Sequence, residues 1–350
     1  PMDLRNNKFE YKAKDEDKYS ILELLSLNVK NVLSQDKVEE SLTKVQLQNK
    51  EAFELILLTA YLVYNKSALT TDVLVRYFET TDVNLIKHKI NIAQSYLSEI
   101  NVTIDQEICN QDYFSLRSTL FTKYAHIIAV SKFKNDYGKV IKKFVQEMDP
   151  CLIFKNHVFR RSAYDADLFF DVFGENGDEI YEEIYKNTPS AYTLQQWALY
   201  KAKTKRFSEA FSDIDTALHM QPNNFSIKNA RAIILFEANK DKKTMAAKKA
   251  LEESMDILSE CYQSDKRKVY HAQKYAEFAL SYLNIYDNNR YIEQAFVWLT
   301  ELIKNEDSMS RKTKNLYEKL KKIIEEIKND EENKKYTEQG IDPLFSAPKE

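Results

Sequence analysis

Pro189-Ser-Ala-Tyr-Thr-Leu-Gln-Gln-Trp-Ala-Leu-Tyr200 opens the stretch that decides the fold. After a short polar break it resumes as Arg206-Phe-Ser-Glu-Ala-Phe-Ser-Asp-Ile-Asp-Thr-Ala-Leu218 and closes on Pro222-Asn-Asn. The apolar residues recur at helical spacing in both halves, so the stretch reads as two amphipathic helices joined by a tight turn and stopped by proline. Ala198, Ala210 and Ala217 fall where two helix backbones must approach closely, Leu194 and Trp197 fill the gap in the first helix, and Phe207 begins the second.

This spacing resembles a tetratricopeptide repeat, whose unit is about 34 residues long. Such a unit cannot bury its apolar face alone, so neighbours are expected to stack on it. After Pro222 the pattern recurs with drift. Phe225–Ala238 pairs with a lengthened Thr244–Tyr262, and Tyr270–Ile285 turns at Asp287-Asn-Asn-Arg290 into Tyr291–Ile303. Met309–Ile327, with an outer face dense in Lys and Glu, fits a capping helix, and the charged tail 329–350 is expected to be disordered. The array 189–328 therefore points to a binding scaffold and not to a reaction.

Composition agrees. Hydrophobic residues make up 43% and charged residues 30% of the 350, which provides a core of good size. Only 4 glycines and 6 prolines occur, which suits long helices with short turns and disfavours turn-rich β architecture. A formal charge of −3 argues against a dedicated polyanion binder. The three cysteines, Cys109, Cys151 and Cys261, are scattered and form no CxxC pair, so a reducing, cytoplasmic setting is expected. No run reaches the roughly 18 apolar residues of a membrane span. The chain opens on Pro1 before Met2, so a piece of something longer is expected.

Upstream of the array, residues 1–48 read as an N-terminal helical pair, with helices from Lys18 and over Val38–Leu47. Residues 49–120 look like a unit of their own. A strongly apolar helix starts at Ala52, a short one carries Val73–Phe78 behind Thr70 or Thr71, and Thr81-Asp82 caps a third that extends to Tyr96-Leu97. Val102-Thr-Ile-Asp and Tyr113-Phe-Ser-Leu can then pair as a hairpin across Gln106–Asp112. Three helices followed by a hairpin is the order of a winged helix. A DNA reader of that kind needs clustered cations on its third helix, which offers Lys87, His88 and Lys89 near Asp82 and Glu99. Residues 121–188 read as a connector of degenerate repeats, including a helical pair across the Gly174–Gly177 turn. The fold class expected is all-α with one minor β wing.

Tyr113-Phe-Ser-Leu-Arg-Ser-Thr-Leu-Phe, running into Lys123-Tyr-Ala-His-Ile-Ile-Ala, resembles the end of the winged-helix domain in STAND NTPases, signal-transducing ATPases that include bacterial antiviral defence sensors. The order of winged helix, helical connector and repeats is similar over roughly residues 49–300. The resemblance implies a sensor region that recognises a partner protein, an ATP- or ADP-binding domain ahead of it, and homo-oligomerisation on activation. A Met-His-Asp triplet touches the nucleotide in many of these proteins. The corresponding stretch here is Leu116-Arg117-Ser118, so the histidine is absent and Arg117 is the residue left to approach a phosphate. The chain has no GxxxxGK[ST] loop, and its closest glycines, in Gly174-Glu-Asn-Gly177, lack the lysine. No catalytic activity or cofactor of its own is expected.

The histidines His88, His126, His157, His219 and His271 stand singly, so no metal set is expected. Carboxylate pairs such as Asp213 and Asp215 read as solvated helix faces. Aligning Ala191 and Phe225 as repeat starts places Tyr192, Gln195, Leu199 and Lys203, then Asn229, Ile233 and Phe236, on a concave wall that would hold a protein ligand. Tyr192 and Phe236 are its candidate anchors. Two further readings stay open: a stand-alone repeat adaptor, and a transcription regulator that sets the winged helix on DNA.

Overall fold

The computed structural model describes residues 34–94, 96–100, 113–305 and 310–338. Among them are sixteen α-helices and three short strands, so the chain is mostly helical. It divides into two compact units, one ending at Arg206 and the other beginning at Phe207. The division falls inside the stretch Pro189–Pro222 and assigns its two helices to different units. The expected helix from Lys18, the strand at Val102–Asp105 and the tip at Gln106–Asp112 lie outside the described residues.

The first unit is built around a helix with no polar face. Helix α1 (Gln35–Gln48) begins at Ser34, whose hydroxyl accepts from the Lys37 amide. Helix α2 (Lys50–Tyr64) buries ten residues between Ala52 and Leu62. A helix apolar all round can only sit in the interior. Strand β1 (Leu69–Thr70), helix α3 (Thr71–Tyr77) and helix α4 (Val83–Ala93) follow, with Thr70 and Asp82 capping the two helices as their sequence predicts. Strands β2 (Leu97–Ile100) and β3 (Tyr113–Leu116) complete an antiparallel sheet in the order β1-β3-β2.

Two details differ from expectation. Helix α4 stops at Ala93, and Leu97 starts a strand, paired in register with Leu116. The Tyr96-Leu97 pair happens to continue the helical spacing from Ala93, but the ladder with β3 satisfies more backbone groups than another helical turn would. Leu69-Thr70, too short to show a period of two, is an unforeseen third strand.

Helices α5 (Thr119–Ser131), α6 (Lys134–Glu147), α7 (Asn156–Ala163), α8 (Ala166–Phe173), α9 (Asp178–Asn187) and α10 (Ala191–Lys203) finish this unit. One contiguous apolar cluster runs from Val38 to Tyr200, so residues 49–120 and 121–188 share a single core. Tyr61 sits at its centre, fully buried and edge-on to Tyr137, Phe144 and Phe159. Its hydroxyl donates to the Ala163 carbonyl at 3.0 Å, and Ser67 Oγ donates to Phe154 O at 2.8 Å. Both bonds satisfy carbonyls near the ends of distant elements.

The Gly174–Gly177 turn links α8 and α9, as expected, and α10 locks it. The Tyr200 hydroxyl accepts from Gly177 N at 2.6 Å and donates to Gly174 O at 2.7 Å. Gly174 has φ +60°, and a Cβ on Gly177 would stand 2.9 Å from the Tyr200 hydroxyl. Elsewhere the chain makes left-handed turns without glycine, at Lys66, Glu79, Lys155, Lys205 and Asp287.

The second unit contains α11 (Phe207–Met220), α12 (Phe225–Asn239), α13 (Met245–Ser264), α14 (Lys268–Tyr286), α15 (Ile292–Asn305) and α16 (Arg311–Glu338), each packed on the next. Asn224 and Thr244 cap α12 and α13. Ala210 and Ala217 are fully buried, as close helix approach requires. The core holds two stacked aromatic pairs, Phe236 on Phe278 at 3.8 Å and Tyr262 on Trp298 at 3.9 Å. Leu316 and Leu320 seat α16 on that core. The helix continues to Glu338, past the Ile327 at which its sequence period ends, and the rest of the tail expected to be disordered lies outside the described residues. Glu and Lys are good helix formers, so an established helix propagates through them without an apolar period.

Candidate binding cleft in the second unit

The turn Pro222-Asn-Asn breaks α11 from α12, and the Asn224 carboxamide restarts the helix by accepting from the Ser226 amide at 2.9 Å. Helix α12 then runs between its neighbours with no exposed residue along its length. Its sequence explains this: Ile227, Ala230, Ala232, Ile234 and Phe236 leave few directions for charge. Lys228 and Arg231 are the exceptions near its start. They sit three residues apart, hence on one face.

That face is the floor of a cleft of about 530 Å³. Leu218 and His219 of α11 form one wall, Ile257 and Glu260 of α13 the other, and Pro222 closes an end. Carboxylates on both walls hold the floor cations. Lys228 reaches Glu260 at 2.7 Å, and Arg231 stands 3.4 Å from both Asp215 and Glu253. Each pair is partly exposed, so it fixes side-chain directions more than it adds stability. His219 Nδ1 lies 2.7 Å from the Asp215 carbonyl one turn back. The cleft is of ligand-site size and combines apolar wall residues with a few oriented charges.

The expected wall residues are placed otherwise. Tyr192, Gln195, Leu199 and Lys203 belong to the first unit. The Tyr192 hydroxyl donates to Arg161 O at 2.8 Å, Gln195 is buried, and Leu199 packs against the first core. Lys203 pairs with Asp167 at 2.5 Å. Asn229, Ile233 and Phe236 belong to the second unit, and none is an open anchor. Asn229 is fully buried against His271, Phe236 is a core residue stacked on Phe278, and Ile233 packs beside them. The reason is rotational: the face of α12 carrying residues 229 and 236 meets α14. Arg117 is exposed where β3 runs into α5, its amide donating to Tyr96 O at 3.1 Å.

Sequence reasoning missed Lys228, Arg231 and their carboxylates. The available signal was a pair of cations three residues apart on an otherwise apolar helix. Among the described residues no helix is long and apolar enough to cross a membrane, and no group of three or more His, Cys, Asp or Glu is placed to hold a metal ion. No family model, curated protein or solved structure matches this chain.

Proposed function

We propose that this chain is a partner-recognition and regulatory region of the STAND type, in which a winged helix precedes tetratricopeptide-like repeats that bind a protein. The observation that carries partner recognition is the cleft over α12, whose apolar walls and paired charges suit a peptide segment better than a small polar substrate. The winged-helix reading is supported by residues 50–116, where the order α2-β1-α3-α4-β2-β3 and the sheet order β1-β3-β2 are those expected of that fold. The repeat reading is supported by the consecutive packing of α11 to α16. In this reading Arg117 faces a nucleotide held by a domain outside the chain.

DNA reading is disfavoured by α4. Lys89 is tied to Glu51 at 3.1 Å and lies over the Phe78 ring, which leaves Lys87 and His88 beside the exposed apolar residues Val83 and Leu85. Nonspecific duplex affinity should therefore be weak even at low salt.

Selection of displayed peptides against the chain tests partner recognition. Enriched peptides should bind the wild type and lose affinity with Lys228→Glu while the circular dichroism spectrum stays unchanged. Failure to enrich, or indifference to Lys228→Glu, counts against the cleft. Sequencing the genomic DNA upstream of the Pro1 codon separates the STAND reading from a stand-alone adaptor: a frame encoding a GxxxxGK[ST] loop supports the first, and a nearby stop codon the second.

A further inference from the structure

On the opposite face of α12 from Lys228 and Arg231, a histidine is buried with both ring nitrogens engaged. His271 of α14 is 1% exposed. Its Nε2 lies 2.9 Å from Asp265 Oδ2, and its Nδ1 lies 2.7 Å from Asn229 Nδ2. A carboxylate only accepts, so Nε2 carries a proton and donates to Asp265. The Asn229 amide nitrogen only donates, so Nδ1 is bare. This fixes the neutral Nε2–H tautomer. The other end of the same amide, Asn229 Oδ1, is buried and accepts no hydrogen bond among the described residues.

We propose that the Asn229 side chain is a two-position amide that turns end for end when His271 gains its second proton, keeping α12 bonded to α14 in both charge states. With the ring neutral, Nδ2–H donates to Nδ1. With the ring protonated, Nδ1–H donates to Oδ1, an acceptor already inside the same side chain. No other group has to move, and the imidazolium is formed beside a carboxylate.

The surroundings favour this. Burial pushes His271 down from its ordinary value, and the hydrogen bond and charge of Asp265 pull it back up. Burial acts against the charge on Asp265 as well, yet hydrogen bonds from Arg267 and His271 hold its carboxyl well below the usual carboxylate range, so it stays ionised. The charged groups acting on the ring are Asp265 and Arg267 of the α13–α14 turn and Lys268 at the start of α14. Tyr270 lies edge-on at 6.0 Å, and α12 offers the uncharged Asn229.

Long-range proton–nitrogen NMR of the full chain, labelled with ¹⁵N-histidine and ¹⁵N-asparagine, tests the proposal, with His271→Gln and Asn229→Leu assigning the signals. At pH 7 the His271 spectrum should show Nε2–H with bare Nδ1. On acidification Nδ1 should protonate while helicity by circular dichroism is unchanged, and the Asn229 NH₂ resonances should shift at the same midpoint. Asn229→Leu should lower that midpoint by about one pH unit, and Asn229→Asp should raise it. The proposal is overturned if Nδ1 is protonated at pH 7, if it protonates only as helicity is lost, or if the Asn229 signals do not move with it. Should Asn229→Leu not fold, the wild-type titration and Asn229→Asp decide the matter.

Discussion

Each unit buries one imidazole, and the two settings differ in what happens to a second proton. In the first, His126 stacks on Tyr64 at 3.7 Å and bonds through Nδ1 to the Tyr137 hydroxyl at 2.7 Å. No carboxylate adjoins it among its described partners, and burial pushes it down to about 4. In the second, His271 has Asp265 on one nitrogen and a reversible amide on the other. Burial pushes both groups down, and only in the second does a carboxylate, Asp265, act against it. Burial sets the direction of the response to acid at both, and the partner of a ring nitrogen tempers it.

The most disruptive way to break the comparison is to remove the aromatic centre on which Tyr137, the partner of His126, packs. Tyr61→Ala should cost about 4 kcal/mol in chemical denaturation, whereas Tyr61→Phe, which only orphans the Ala163 carbonyl, should cost about 1–2 kcal/mol. Equal losses would mean that the hydroxyl and not the ring holds the centre.

Next comes acid itself. The folded value of His126 lies below the unfolded one, so the stabilisation from keeping it neutral is present above about pH 6.5 and is lost as pH falls towards 4. The loss should reach about 3 kcal/mol. His126→Phe should flatten this dependence in denaturation series run from pH 7 to 4. A pH slope that survives the substitution would place the acid sensitivity elsewhere.

A smaller effect is expected at the Tyr200 lock. Gly177→Ala should destabilise by about 2 kcal/mol, because the new methyl group meets the Tyr200 hydroxyl. The smallest effect has the opposite sign and should appear in both units. Lys66→Gly in the first and Asp287→Gly in the second relieve left-handed backbone and should each raise stability by about 0.5–1 kcal/mol, read as a shift in thermal midpoint. A loss at either position would show that the native side chain makes a contact worth more than the strain.

Much of the fold was legible because its signals are local. Thr70 and Asp82 cap the helices they precede, Asn224 and Thr244 start α12 and α13, and Pro222 ends α11. The errors came where local spacing is ambiguous. Tyr96-Leu97 satisfies a helical period as well as a strand, and the partner that decides between them, Leu116, is nineteen positions from Leu97. The cleft was less visible. Its floor cations are plain in the sequence, but the carboxylates that orient them come from α11 and α13. The face of α12 that meets α14 cannot be fixed by aligning repeat starts, so Asn229 and Phe236 were placed on a groove that they do not line. His271 looked solitary for the same reason: its amide partner is 42 residues away.

The hydroxyl bonds of the first core also carry a consequence in time. Tyr61 reaches across 102 residues to Ala163, and Ser67 across 87 to Phe154. In the second unit the corresponding ties are short, 42 residues from Asn229 to His271 and 39 from Tyr262 to Glu301. Closing a long loop must precede any reward from the contact it makes, so folding slows as contacts become less local. On a ribosome, the central helix of the first unit would wait for α7 before its buried tyrosine found an acceptor, while the helices of the second could dock almost as fast as they emerged.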